Sequence, residues 1–258
     1  FLQLWHVGRL SHPLVQINGA QPVAPSAIKA DGEIYTSEGL KSYEIPRALN
    51  LGEIPDVVAD FRLAAENAKR AGFDGVEIHG ANGYLIDQFL RDGTNTRTDA
   101  YGGAVEHRTR FLKEVVESVI EVFGASRVGV RLSPIFNYFS MSDSNPQATF
   151  NYAAKMLSRY GLAYLHVVEL GAGSFDFREL KRCFGGTYIA NGGYDAERAE
   201  MALSSGDADL VSFGTAFLAN PDLVERFKHG KALNEADPTT FYQGEERGYT
   251  DYPTLAEL

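Results

Sequence analysis

Residues 76–90 read VEIHGANGYLIDQFL, and the fold turns on how this stretch is read. The β-rich run over 75–79 predicts a strand. Gly80 and Gly83 then allow the backbone to turn sharply. His79, Asn82 and Tyr84 gather at or just past the C-terminal end of that strand. An imidazole and a carboxamide can both donate hydrogen bonds to one oxygen, which polarises a carbonyl and makes a conjugated alkene electrophilic. A nearby tyrosine hydroxyl can supply a proton as a general acid. The plain alternative is a buried His and Tyr satisfied by backbone groups. Three such side chains at one strand end favour chemistry.

Outward from this stretch, short apolar runs alternate with helical patterns. Strands are expected at 1–5, 75–79, 127–132, 164–168, 187–190 and 210–213. Runs such as VGVRL (128–132) and LHVVE (165–169) are nearly continuous in apolar character, as in parallel strands buried on both faces. Helices are expected at 54–71, 108–123, 147–160, 195–205 and 220–229, on a 3.6-residue apolar repeat or on start signals. Alternation at this period means βαβ units and a parallel α/β sheet. Six units would suit a doubly wound sheet. Chemistry at strand C-terminal ends instead favours a (β/α)8 TIM barrel, with about six of its eight units, strands 3–8, present. Residues 1–258 then form a single domain lacking the first two βα units, roughly 60–100 residues by typical barrel length. An apolar strand at the first residue, with no initiator Met, fits missing upstream sequence. The long stretch 9–51 reads as an elaborated βα loop.

The chain has 258 residues and a formal net charge of -10. That acidity argues against nucleic acid or an anionic membrane as the main partner. A single cysteine, Cys183, permits no internal disulfide and fits a reducing, cytoplasmic setting. No apolar run approaches the roughly 18 residues that span a bilayer. No metal-ligating motif and no G-x-G-x-x-G after a strand is found.

Other residues carry chemical signals. Gln3, at the end of the first strand, offers both a donor and an acceptor. Trp5 follows it, with core packing as its ordinary alternative. His6 and Arg9 are taken as structural. Arg131, in an apolar strand, needs an anionic or strongly polar partner; an internal salt bridge would also satisfy it. IANGGYD (189–195) and Gly214 in VSFGTAFLANPD (211–222) follow the last two strands, where barrels usually bind phosphate. Asn191, Gly192 and Gly193 can expose backbone N–H groups there, although a Gly-Gly pair alone is mostly a turn signal.

HGANGYLIDQFL (79–90), continued by NTRTDAYGG (95–103) and EHRTRF (106–111), resembles the signature loop of the Old Yellow Enzyme family. That resemblance implies an FMN-dependent ene-reductase reducing enones, nitroalkenes or nitrate esters with NAD(P)H by a ping-pong cycle. It assigns His79 and Asn82 to the substrate oxygen and Tyr84 to protonation of the α-carbon. It assigns Gln3 to the flavin pyrimidine, Arg131 to the anionic reduced flavin near N1, and Asn191, Gly192, Gly193, Gly214 and Thr215 to the phosphate. Trp5, Phe139 and Tyr249 would line the substrate pocket. Ala104 and His107 stand where Ser and Asn are more usual, outside the chemistry. Thr215 stands where the family normally has an arginine gripping the phosphate. The family's flavin contacts from the loop after strand 1 have no counterpart here. Two other readings follow from the same residues: another phosphate-ligand-binding barrel enzyme, or a truncated or decayed relative with impaired FMN binding. Six strands would leave an open edge, covered by a missing segment, a partner or a homo-oligomer.

Overall fold

The computed structural model describes residues 1–170, 174–242 and 245–256. Six parallel strands form its sheet: β1 (Leu2–Leu4), β6 (Val76–Gly80), β7 (Val128–Leu132), β8 (Tyr164–Val168), β9 (Tyr188–Asn191) and β10 (Leu210–Ser212). They pair strictly in that order. A doubly wound sheet reverses its order at a switch point; this one does not. A single direction of progress, with a helical crossover between successive strands, is the layout of a barrel wall. Among the described residues β1 and β10 are its open edges.

The strands alternate more than their sequences suggested. Val76, Ile78, Val128, Val130, Leu132, Leu165, Val167 and Ala190 belong to the main apolar core. Glu77 and His79 on β6, Arg131 on β7 and His166 on β8 fall on the alternating positions. The expectation of burial on both faces holds for β6 and nearly all of β7, but the faces differ in chemistry: one packs on helices and the other carries polar and charged groups. Gly129 sits at one of these alternating positions because a Cβ there would run into the Tyr164 ring.

The core forms against α1 (Ile54–Arg70) and α4 (Arg110–Phe123). Ile54, Val57, Phe61, Ala65 and Ala68 make the buried stripe of α1. Phe111 of α4 lies 4.4 Å from Phe89 and 6.5 Å from Phe61 between ring centroids. The helix expected over 108–123 is two: α3 (Val105–Arg108) and α4, with Thr109 between them. α5 (Pro146–Leu157) and α7 (Ala196–Ser204) match expectation closely, and α9 (Leu223–Lys228) is shorter than expected. Three short helices were not foreseen: α2 (Leu85–Leu90), α6 (Phe177–Phe184) and α8 (Thr215–Ala219). Every residue of α2 is buried, so it shows no amphipathic stripe.

The 9–51 stretch is an ordered loop. It contains the short parallel pair β2 (Val23–Ala24) and β5 (Arg47–Ala48) and the hairpin β3 (Glu33–Thr36) with β4 (Gly39–Ser42). Arg9 has the structural part expected of it. Buried, it donates to the carbonyls of Ile28 at 3.1 Å and Phe139 at 2.7 Å. Burial pulls its pKa down to about 10, so it stays charged at neutral pH. No helix among the described residues is long and apolar enough to cross a membrane.

Phe111→Ala is expected to cost about 3–5 kcal/mol, read as a shift of the urea midpoint at unchanged slope. A loss under ~1 kcal/mol would contradict the packing at this site.

Candidate active site

The turn after β6 is held from beneath by the polar side chains of α2. Asn82 and Gly83 have φ of 57° and 80°, a left-handed conformation that asparagine and glycine tolerate best. The Asn82 N–H donates to Ser133 Oγ at 2.7 Å, and the Gly83 N–H to Asp87 Oδ2 at 2.9 Å. Asp87 is buried and paired with the equally buried Arg91 at 2.7 Å. Burial pushes the Asp87 carboxyl up, against the Arg91 charge and these hydrogen bonds. Gln88 ties the turn to the segment after β1. Its amide donates to Gly83 O at 2.7 Å and Val7 O at 3.3 Å, and its oxygen accepts the Arg9 N–H at 3.2 Å.

Above this base lies a cavity of about 630 Å³ lined by Gln3, Trp5, His79, Asn82, Tyr84, Arg131, Phe136, Phe139 and Tyr242. The structure thus brings together all three residues singled out after β6, with Gln3, Trp5, Arg131 and Phe139. Ring centroids lie 4.7 Å apart for Trp5–Tyr84, 5.2 Å for His79–Tyr84 and 5.9 Å for Trp5–His79. Burial, aided by the Arg131 charge, lowers the His79 pKa to about 4. His79 is therefore neutral at physiological pH. Its Nδ1 is buried with no partner among the described residues. Burial raises the Tyr84 pKa, so its hydroxyl keeps its proton.

Below the cavity a hydrogen-bonded chain crosses the sheet. Gln3 Nε2 donates to Glu77 Oε1 at 2.6 Å. Glu77 Oε2 meets His166 Nδ1 at 2.9 Å. Arg131 Nη1 lies 2.6 Å from His166 Nε2, and its Nη2 donates to Asn191 Oδ1 at 2.8 Å. A guanidinium can only donate and a carboxylate only accept. His166 must then carry its proton on Nδ1 and accept at Nε2, where Ser212 Oγ also lies at 2.7 Å. Burial lowers the His166 pKa, consistent with this neutral form. Burial pushes Glu77 up, but hydrogen bonds from His166 and Gln3 and the Arg131 charge outweigh it and keep Glu77 ionised. Arg131 therefore has a polar network on one side and lines the open cavity on the other.

Asn191, Gly192, Gly193, Gly214 and Thr215 line a second cavity, of about 550 Å³. The Arg131–Asn191 hydrogen bond links it to the first. Gly192 has φ 120°, and a Cβ there would press on the backbone of Glu169. The N–H groups of Gly192, Gly193 and Tyr194 donate to nothing among the described residues. Thr215 opens α8, whose first N–H groups likewise donate to nothing among the described residues. Among the described residues no lysine or arginine lines this cavity.

Tyr249 is placed differently. It does not line the first cavity; its hydroxyl accepts the Tyr242 N–H at 2.7 Å, and Tyr242 lines the cavity instead. Sequence reasoning also missed Phe136, Glu77, His166 and Ser212. Glu77 and His166 are polar residues in apolar strands, the same signal that singled out Arg131.

A model of the NADH:flavin oxidoreductase / NADH oxidase family matches residues 1–234. A putative 12-oxophytodienoate reductase 2 of Oryza sativa subsp. japonica is 47% identical, matching 100% of this chain and 70% of its own length. Morphinone reductase, solved in complex with tetrahydroNAD, is 53% identical at a TM-score of 0.94, over 98% of this chain and 72% of that one. An Old Yellow Enzyme homologue from Zymomonas mobilis is 46% identical at a TM-score of 0.95, over 99% of this chain and 74% of that one.

His79 generates a pH prediction. Its folded pKa of about 4 lies below the ordinary value of roughly 6.5, so the folded state binds fewer protons than the unfolded state. Its contribution to stability is complete above pH ~6.5 and is lost as pH falls from there through about 4. NMR titration of labelled histidines should show His79 titrating near pH 4. A midpoint near the ordinary value would contradict its burial beside Arg131.

Proposed function

The chain belongs to the NADH:flavin oxidoreductase / NADH oxidase family, an FMN-dependent oxidoreductase of the Old Yellow Enzyme type built on the (β/α)8 barrel, and on that premise we propose that it reduces activated C=C bonds of enones, nitroalkenes and related acceptors with NAD(P)H in a ping-pong cycle. One observation carries the reading: His79, Asn82, Tyr84, Gln3 and Arg131 meet in one cavity at the C-terminal ends of β1, β6 and β7. The same residue set argues against a generic phosphate-binding barrel, which has no need of the His–Asn–Tyr cluster.

The donor set fits FMN. Gln3 gives one amide hydrogen to Glu77 and keeps its oxygen and second hydrogen for a pyrimidine edge. Arg131 brings a positive charge to the place where a reduced flavin is negative. The linked cavity offers free backbone N–H groups to a phosphate. When bound, FMN supplies the hydride chemistry.

The side chains supply orientation and a proton. His79, neutral, donates one ring N–H to the substrate oxygen, and the Asn82 carboxamide donates to the same oxygen. Both polarise the alkene. The Asn82 backbone is held by its bond to Ser133, which keeps the root of its side chain at the cavity wall. Tyr84, packed edge-on against Trp5, holds its proton for the α-carbon. Trp5, Phe136 and Phe139 wall the site with apolar surface. Nicotinamide and acceptor would use this one cavity in turn.

Thr215, with no cation lining the cleft among the described residues, favours a second reading in which FMN is held weakly. A threonine hydroxyl replaces a charge-assisted bond worth roughly 1.5–3 kcal/mol.

Tyr84→Phe should slow alkene reduction about 10²–10⁴-fold while leaving flavin reduction by NADPH nearly unchanged in stopped-flow. Equal loss in both half-reactions would remove Tyr84 as the acid. Thr215→Arg should tighten FMN binding by about tenfold or more. An unchanged dissociation constant would show that the phosphate does not sit at the start of α8.

A further inference from the structure

Arg198 lies outside both cavities already described, and its contacts are unusual for a surface arginine. Its Nη1 donates to the carbonyls of Gly192 at 3.0 Å and Gly193 at 3.3 Å. The guanidinium carbon lies 4.0 Å from the Tyr194 ring centroid. Tyr194 is held in turn, its hydroxyl donating to Glu169 Oε2 at 2.7 Å; Tyr188 donates to the other oxygen of that carboxylate at 2.6 Å. Arg198 makes no ion pair with a carboxylate among the described residues. Its own N–H donates to Asp195 Oδ1 at 2.8 Å at the start of α7.

Each bonded carbonyl belongs to a peptide unit with an N–H at its other end. The Gly192 carbonyl shares its unit with the Gly193 N–H, and the Gly193 carbonyl with the Tyr194 N–H. Those two N–H groups donate to nothing among the described residues, and Gly193 and Tyr194 line the cleft assigned to the phosphate. Tyr194 and Arg198 also line a separate cavity of about 590 Å³. A cation bonded to the carbonyl end of a peptide polarises it and strengthens donation at the N–H end. The cleft needs such help: among the described residues its lining has one carboxylate, Asp195, and no lysine or arginine.

We propose that Arg198 is a positioning residue for the FMN phosphate, supplying through the Gly192–Gly193–Tyr194 peptide units the positive charge that Thr215 does not. It fixes the left-handed glycine pair and polarises two of its N–H groups toward the anion without touching it. The inference rests on the reading of this cleft as the phosphate site.

The test compares FMN with riboflavin, which shares the ring system and lacks the phosphate. Dissociation constants are measured by quenching of flavin fluorescence for the wild-type chain, Arg198→Ala and Arg198→Gln. Gln keeps a donor for the carbonyls but no charge. The expected result is an FMN affinity about fivefold weaker in both variants, with riboflavin unchanged and with the far-UV spectrum and thermal midpoint checked. Thr215→Arg in the Arg198→Ala background should restore the preference for FMN. Equal weakening toward both flavins would mean a general structural role and overturn the proposal. So would Arg198→Gln binding FMN as tightly as wild type. A wild-type chain that prefers FMN, with the preference intact in both variants, would overturn the proposal alone. No wild-type preference for FMN would overturn the phosphate-cleft reading with it.

Discussion

Burying the charge of Arg131 in the middle of a parallel sheet is the constraint on which the site depends. A guanidinium there is expensive unless its donors are met. The sheet meets them with side chains from neighbouring strands: His166 from β8 and Asn191 from β9, with Glu77 from β6 behind His166. Meeting them fixes three things together: the tautomer of His166, the ionised state of Glu77, and the position of Asn191 at the edge of the glycine turn. The register of the sheet places Arg131 beside His79 on one side and His166 on the other. The same charge helps keep His79 neutral, the form suited to donating a hydrogen bond without attracting a counter-ion.

A second support lies above the sheet. The side chains of α2 point polar groups into the protein interior, where Asp87 and Arg91 pair and Gln88 bonds to two loops. Such a pair is weak evidence for net stability, since its desolvation is costly. Its physical contribution here is positional. It holds a turn with two left-handed residues so that Asn82 and Tyr84 face the same cavity as His79. The polar groups of this chain thus fall into two layers, one tying Gln3, Arg131 and Asn191 together and one holding the turn that carries Asn82 and Tyr84.

Much of this was legible in the sequence, for physical reasons that differ by element. The six sheet strands were readable because parallel strands need apolar residues toward their helices, and the runs were bounded by turns. Their polar face was under-read: Glu77 and His166 looked like interruptions, although burial of a lone Arg131 already demanded partners. α2 was invisible because a helix buried all round has no stripe. The boundary at Thr109 was missed because 106–110 read EHRTR, with no apolar residue to mark where one helix ends and the next begins. The cluster at 79–84 was legible because glycines, a strand end and three functional side chains coincide. Tyr249 and Tyr242 show the limit of resemblance in an irregular tail. Two tyrosines stand close together, and only the packing says which faces the cavity. Arg198 had no sequence signal, since its effect passes through two carbonyls of a turn.

The account's central claim is that this chain turns over an activated alkene through a bound flavin. The most direct measurement is an absorption spectrum of the desalted chain with added FMN, followed by anaerobic NADPH and then cyclohexenone. The account predicts a retained flavin band that bleaches with NADPH and returns when the enone is added. A flavin that bleaches and stays bleached with the enone present would contradict it, as would a chain that retains no flavin with FMN in excess.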